Sequence, residues 1–388
     1  MQLLEGVIRH YDWGSVESIP QLLGVPATGE PWAELWLGAH PSAPSAVGGV
    51  AAPLDAVIAA DPIAALGAEV AERFGGLPFL LKVLAADAPL SLQAHPSIPG
   101  AEAGFDREDE AGIPIDAPNR SFRDRNHKPE LICALTEFDA LCGFRDPSAT
   151  LAILDTIDTA ALDPIRAQIR GSSDTQGLDT LLGHLLMLSV DDAAALSESV
   201  AAACRVDGPA LGRAERAMAA ALGDRYPGDP GVVIALLLNL VTLAPGEALF
   251  LGAGNLHSYL RGTGVEIMAN SDNVLRGGLT SKHVDVETLL AVVDTVPVEP
   301  AVQHPSIVDG VATYDTPVPE FSLQRVEVDG DHRIAGGPAI LLCIDGAVEA
   351  GEHLLDRGAA AWSSAEESEI ELSGRGTVFR AGVGAPNG

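Results

Sequence analysis

Residues 91–95, Ser-Leu-Gln-Ala-His, set Ser91, Gln93 and His95 at alternate positions with Leu92 and Ala94 between them. Alternate side chains of an extended chain share one face. The stretch therefore presents a polar face that includes a metal-ligand type, backed by an apolar one. A near echo, GAHPSAPS at residues 38–45, holds His40. The position two before it is Gly38, which has no side chain, and that difference favours His95 as the ligand. Two further segments share this character. Glu130 opens the apolar run ELICAL, with Lys128 two residues earlier on the same face, and His257 and Tyr259 make another i, i+2 pair in GNLHSYLRG. One Gln, one Glu and two His form a mixed nitrogen and oxygen donor set that suits Zn, Mn or Fe(II). Taken singly, each residue has a plainer reading. A lone strand histidine is more often a hydrogen-bonded core residue, and a glutamate before an apolar run is more often a solvated strand end. Spacing alone leaves both readings open.

Ligands on separate segments need a scaffold that brings them together. Residues 1–146 mix Pro and Gly with short apolar runs; PFLLKVL, AADAP and LSLQAHP read as strand, turn, strand. ELICALTEF and ALCGF continue in that manner, and the Ala-rich PLDAVIAADPIAALGAEVAERFGG adds helix. Residues 147–239 change character. GLDTLLGHLLMLS, VDDAAALSESVAAACRV and GPALGRAERAMAAALGDRY read as helices, with Asp191 and Asp192 favouring a start and Gly223 a stop. Over residues 240–300 β-type text returns, with LVTL and ALFL on either side of a Pro-Gly turn. Residues 301–388 look like strands joined by Gly, Asp and Pro turns, which suggests a sandwich or jelly roll. The expected organisation is an N-terminal part of a catalytic β domain over 1–146, an all-α insertion over 147–239, the rest of that β domain over 240–300, and a C-terminal β domain over 301–388.

Composition narrows the function. A formal net charge of −31 over 388 residues offers no basic stripe for nucleic acid and repels an anionic membrane surface. The N-terminus lacks a basic stretch followed by an apolar one, and the longest apolar run, VVIALLLNLVTLA, is too short to span a bilayer. Cys133, Cys142, Cys204 and Cys343 contain no CxxC pair, which fits reduced, buried thiols in the cytoplasm. Of 23 basic residues only Lys82, Lys128 and Lys282 are lysines. Where arginine is so preferred, a retained lysine marks a place suited to a compact charge with an adjustable pKa.

The longer motifs resemble type I mannose-6-phosphate isomerase. The blocks are YDWGS (11–15), PWAELWLGAHPSAPS (31–45), LPFLLKVLAADAPLSLQAHP (77–96), DRNHKPELICAL (124–135) and PGEALFLGAGNLHSYLRGTGVEIMANSDNVLRGGLTSKHVDV (245–286). The resemblance runs in order over residues 1 to about 290 and skips the helical insertion. It implies a mainly β fold of two cupin-like (jelly-roll) barrels with an inserted all-α domain. It also implies one zinc ion per chain, held by Gln93, His95, Glu130 and His257, although other divalent ions suit the same donors. Arg276, Glu266 and Lys282 are the implied catalytic residues. Ser91, Lys128 and Tyr259 are expected to bind substrate. The implied reaction interconverts mannose 6-phosphate and fructose 6-phosphate through a cis-enediol, with Glu266 or a water moving the proton and Arg276 steadying the enediolate.

Trp13, Trp32 and Trp36 read as core, and His127 and His283 as exposed or supporting residues. Arg120, Arg123 and Arg125 read as a solvated loop, with steering of an anionic substrate as the functional alternative. The rival readings are another cupin metal enzyme, such as an Fe(II) dioxygenase, and a non-catalytic sugar-phosphate-binding cupin. The expected partner is a small sugar phosphate, with no nucleic acid and no membrane, bound by a monomer.

Overall fold

A computed structural model defines residues 1–171 and 175–385 of the chain. Two antiparallel sheets, of 11 and 10 strands among the described residues, form the β part. The helices between Pro147 and Ala235 pack beside it. The 11-stranded sheet carries the metal-ligand segments. Its main path runs Val302–Gln303, Ala248–Leu251, Glu130–Ala134, His257–Ala269, Phe79–Ala86, Glu34–Gly38, Val7–Arg9. Phe79–Ala86 is buried along its whole length, as a near-continuous apolar run covered on both faces should be, and Lys82 is its one charge.

The 13-residue strand His257–Ala269 organises the site. Its first residues pair with Gln93–Ala94 and Phe138–Phe144, and its second half pairs with Phe79–Ala86 and Glu130–Ala134. The register slips between Tyr259 and Arg261. Gly262 lies just beyond, at φ 121°, where an added Cβ would meet the Glu137 carbonyl oxygen at 2.6 Å. Only glycine fits so close an approach in that conformation. The resulting bend lets one strand line two arms of the sheet and carry His257, Tyr259 and Glu266.

The second sheet runs Ile307–Val308, Val311–Tyr314, Ser322–Asp329, Glu369–Gly382, Ala339–Ala350, Ala360–Ser363. Two early strands, Gln2–Glu5 and Ala46–Val47, extend it, with Leu3 opposite Ala361 and Leu4 opposite Val47. The two sheets share a core in which Leu37, Phe79 and Leu81 pack with Ile340, Trp362 and Phe379.

The inserted helices use local caps. Asp146 accepts from the Ser148 and Ala149 amides ahead of Pro147, and Ser189 accepts from Asp192 N. Their apolar faces pack under the site segments, joining Leu92, Ala94 and Leu275 in one core. One local expectation changes, and a pairing and an element are added to it. Gly223 does not stop a helix; it lies inside Arg213–Arg225, where an added Cβ would meet the Ala201 Cβ at 2.3 Å, so it permits a close crossing. Leu238–Leu243 and Ala248–Leu251 are strands, but they pair with Phe138–Phe144 and Glu130–Ala134 rather than with each other. The segment after Pro96 is a 13-residue helix, Ile98–Glu110, begun by the Ser97 cap. No helix among the described residues is long and apolar enough to cross a membrane.

Candidate metal centre

His95, Glu130 and His257 converge, each at most 2 % exposed. The Glu130 carboxylate lies 3.6 Å from His95 Nε2 and 3.4 Å from His257 Nε2. Both imidazoles are oriented by backbone. His95 Nδ1 donates to Asn273 O at 2.7 Å and His257 Nδ1 donates to Asn255 O at 3.0 Å. That fixes the tautomer and turns both Nε2 lone pairs toward Glu130. His95 Nε2, His257 Nε2 and Glu130 Oε2 have no hydrogen-bond partner among the described residues. Buried polar atoms are rarely left so, and a divalent ion satisfies all three at once. The donor set, two neutral imidazoles and one carboxylate, fits zinc. Gln93 stands opposite His257 in one ladder and opposite Arg276 in the next. Directly opposed residues share a face, so His257, Gln93 and Arg276 form a row.

Charges around the trio are arranged in two groups. Lys128 Nζ meets Glu130 at 2.8 Å. Burial drives His95 down to about 4, with Lys128 adding to the effect. Burial alone would raise Glu130, but Lys128 and the imidazoles outweigh it and hold the carboxylate well below its ordinary range. On the same sheet Lys82 sits between Glu266, at 2.9 Å, and Glu34, at 3.3 Å. Lys82 is raised well above its ordinary value: burial opposes the charge, and Glu266 and Glu34 more than restore it. Burial raises Glu266 against the pull of Lys82. Trp36 donates its indole N–H to Glu34 at 2.9 Å and lays its ring 5.4 Å from Lys82 Nζ. The Tyr259 hydroxyl is buried, and burial pushes it well above its ordinary value, with Glu266 and Glu130 adding to the effect.

A family model for the catalytic domain of type I phosphomannose isomerase matches residues 1–147. The chain is 37 % identical over 392 residues to mannose-6-phosphate isomerase of Escherichia coli, covering 98 % of this chain and 99 % of that one. It is 32 % identical over 415 residues to the Rattus norvegicus enzyme, covering 95 % and 94 %. The chain belongs to the type I phosphomannose isomerase family. Among solved members, a zinc-bound mannose 6-phosphate isomerase superposes with a TM-score of 0.89 at 35 % identity, and the apo form from Salmonella typhimurium with 0.90 at 36 %, each covering 99 % of both chains. The cupin-type fold expected of the phosphomannose isomerase family follows from these likenesses.

Within this family frame, His95, Glu130 and His257 come together. Gln93 lies one ladder step away, half-buried, as is Ser91. Among the described residues the side chains of Arg276 and Lys282 carry no hydrogen bond or ion pair; burial lowers both, with Arg123 adding to the effect on Arg276 and Arg276 to that on Lys282. Lys282 is exposed and Tyr259 fully buried. His40 is buried in contact with Trp36 and 3.7 Å from Asp272, outside the metal trio. His127 pairs with Glu320 at 2.9 Å.

The three loop arginines diverge. Arg120 is not solvated but buried, bonded to the carbonyls of Ile113 and Phe122 and paired with Glu108 and Asp109. Arg125 pairs with Asp106. The Arg123 side chain has no partner among the described residues. Sequence reasoning passed over Glu34, a single acid between the two tryptophans of PWAELW, and Asn273 of the SDNV motif. Asn273 is fully buried and ties residues 123–126 to the segment that leads to Arg276.

Proposed function

We propose that this chain is a zinc-dependent isomerase that interconverts mannose 6-phosphate and fructose 6-phosphate through a cis-enediol. The observation that carries the reading is the convergence of the His95, His257 and Glu130 atoms that no group among the described residues satisfies, within a chain of this family. Gln93, His95, Glu130 and His257 hold one ion. Two imidazoles, one amide and one carboxylate leave a divalent ion about +1, and the chemistry such an ion supplies when bound is polarisation of the sugar oxygens.

The chain's own groups do the rest. Glu266 moves the proton between C2 and C1. Its buried carboxyl is raised by desolvation, with Lys82 opposing, so its neutral form is less disfavoured than that of a solvated carboxyl. Lys82 stays charged and holds Glu266 in place. Lys128, beside Glu130, donates to the sugar oxygens. Arg276, opposite Gln93, steadies the enediolate charge. Lys282 takes the phosphate, assisted by the Ser91 hydroxyl, and Tyr259 lines the sugar site. Domain limits at 1–146, 147–239, 240–300 and 301–388, a monomer, and a cytoplasmic location belong to the same reading.

The test is a coupled assay with mannose 6-phosphate. Activity lost to chelator and regained with zinc, with one zinc per chain, supports the reading. Full activity in metal-stripped protein, or no turnover of mannose 6-phosphate by the zinc-loaded protein, removes it.

A further inference from the structure

A cavity of about 360 Å³ lies on the reverse face of the sheet that carries the metal trio. Met268 stands opposite Glu130 in the ladder, so both face the metal side, and Ala269, the next residue, faces the other way and lines the cavity. The same alternation divides Lys128, which reaches Glu130, from His127, which lines the cavity. Ile58, Phe74, Leu77 and Ile98 give the cavity apolar walls, and Arg73 stands at its exposed rim.

Three acceptor oxygens without donors are set among these walls. Asp55 Oδ1, Asn270 Oδ1 and Glu320 Oε2 are buried atoms with no hydrogen-bond partner among the described residues, and all three residues line the cavity. Asn270 Nδ2 donates to Leu77 O at 2.6 Å, which decides which end of the amide is left over. Glu320 is 9 % exposed, and its other oxygen, Oε1, meets His127 Nε2 at 2.9 Å. Burial alone would raise the Glu320 carboxyl, but His127 outweighs it and holds the group below its ordinary value, so it carries charge. Buried acceptors left without donors cost free energy. Asp55, Glu320 and His127 do not gather as metal ligands do; among the described residues His95, Glu130 and His257 are the one such group. That points to an occupant wider than a bare ion and rich in donors.

We propose that this cavity is a binding site for a small alkylammonium compound, on the opposite face of the sheet from the metal centre. Its N–H donors meet the acidic and amide oxygens, and its short carbon chain lies against Ile58, Phe74 and Leu77. A charged donor suits acidic acceptors better than a neutral hydroxyl does, because charge-assisted hydrogen bonds are about twice as strong as neutral ones. The volume falls at the small end of the roughly 300–1,000 Å³ typical of organic ligand sites. A chain of net charge −31 also draws cations toward it. The site does not depend on the isomerase reading.

The experiment titrates n-butylammonium chloride into the zinc-loaded protein by calorimetry, with sodium chloride at equal ionic strength as the blank and 1-butanol as the uncharged probe. Saturable binding of n-butylammonium is expected, with 1-butanol weaker by roughly tenfold, the difference made by one charge-assisted contact. Asp55→Asn and Glu320→Gln should each weaken n-butylammonium binding by a similar factor, with zinc content unchanged. A crystal soaked in n-butylammonium chloride should show the compound in this cavity. Absence of saturable binding overturns the proposal, since water then satisfies the three oxygens. So does equal affinity for the charged and uncharged probes, density for the compound only elsewhere, or unchanged affinity in Asp55→Asn. Should Glu320→Gln fail to fold, Asp55→Asn decides alone, because Asp55 is half-buried on the short helix Leu54–Ala60 and its change leaves the shared core intact.

Discussion

At the scale of single residues, the site is a set of buried charges that only make sense in combination. Lys82 is the clearest case, because it neutralises parts of two carboxylates that have almost no access to water. Lys82→Met should leave Glu34 and Glu266 buried without a counter-charge and destabilise the fold by about 3–5 kcal/mol, read by chemical denaturation. Glu34→Gln retains the indole contact from Trp36 and should cost less. Removing a proposed metal ligand acts differently. His257→Ala should abolish bound zinc and turnover, measured by metal analysis and assay, while far-UV circular dichroism stays native. Much of this was legible in the residue types: Gln93, His95, Glu130 and His257 announce a mixed donor set, and two of the three lysines in an arginine-rich chain, Lys82 and Lys128, act on Glu130. What could not be read is pairing across strands. Nothing in the text around Glu34 says that its carboxylate lies 3.3 Å from an amine 48 positions away, nor that Arg123 goes unpaired while Arg120 and Arg125 do not.

At the scale of elements, the decisive piece is the bent strand His257–Ala269. It delivers His257 to one arm of the sheet and Glu266 to the other, and the bend depends on Gly262. Gly262→Ala would put a Cβ into the Glu137 carbonyl at a left-handed φ, a change that should cost about 1–3 kcal/mol. Because the slip in register sets how His257 faces Glu130, the variant should also bind zinc more weakly than Gly277→Ala, whose added Cβ meets only side chains at 3.3 Å or more. Denaturation and metal titration on the two variants check this. Alternation and turn chemistry made the strands readable, and alanine-rich periodicity made the helices so. They did not reveal that LVTL and ALFL seek different partners. A Pro-Gly turn permits a hairpin, but the sheet offered each strand a better neighbour. Gly223 misleads for a related reason, since a glycine that ends a helix and one that admits a crossing helix look alike in sequence.

At the scale of the whole molecule, the two sheets are bound by a shared core and by the first strand. Gln2–Glu5 lies in the sheet built mainly from the last 80 or so residues, pairing with Ala360–Ser363, and the N-terminal amine pairs with Glu367. Deleting residues 1–5 should therefore weaken the distant end of the chain. We expect a lower Tm and faster proteolysis around Ala360–Ser363, followed by limited digestion and mass mapping, with zinc still bound. A strand of four residues with no charged pattern gave no sign in the text of so remote a partner, since neighbouring segments usually pair first. The arrangement has a consequence for biosynthesis. During translation the opening residues can meet Ala46–Val47 early, but their other neighbour, Ala360–Ser363, comes only after more than 350 further residues are made. Closure of that sheet is necessarily a late, post-translational event with a large loop-closure cost. Until it happens, the nascent enzyme carries an open β edge, which makes this seam the place where a chaperone has the most to protect.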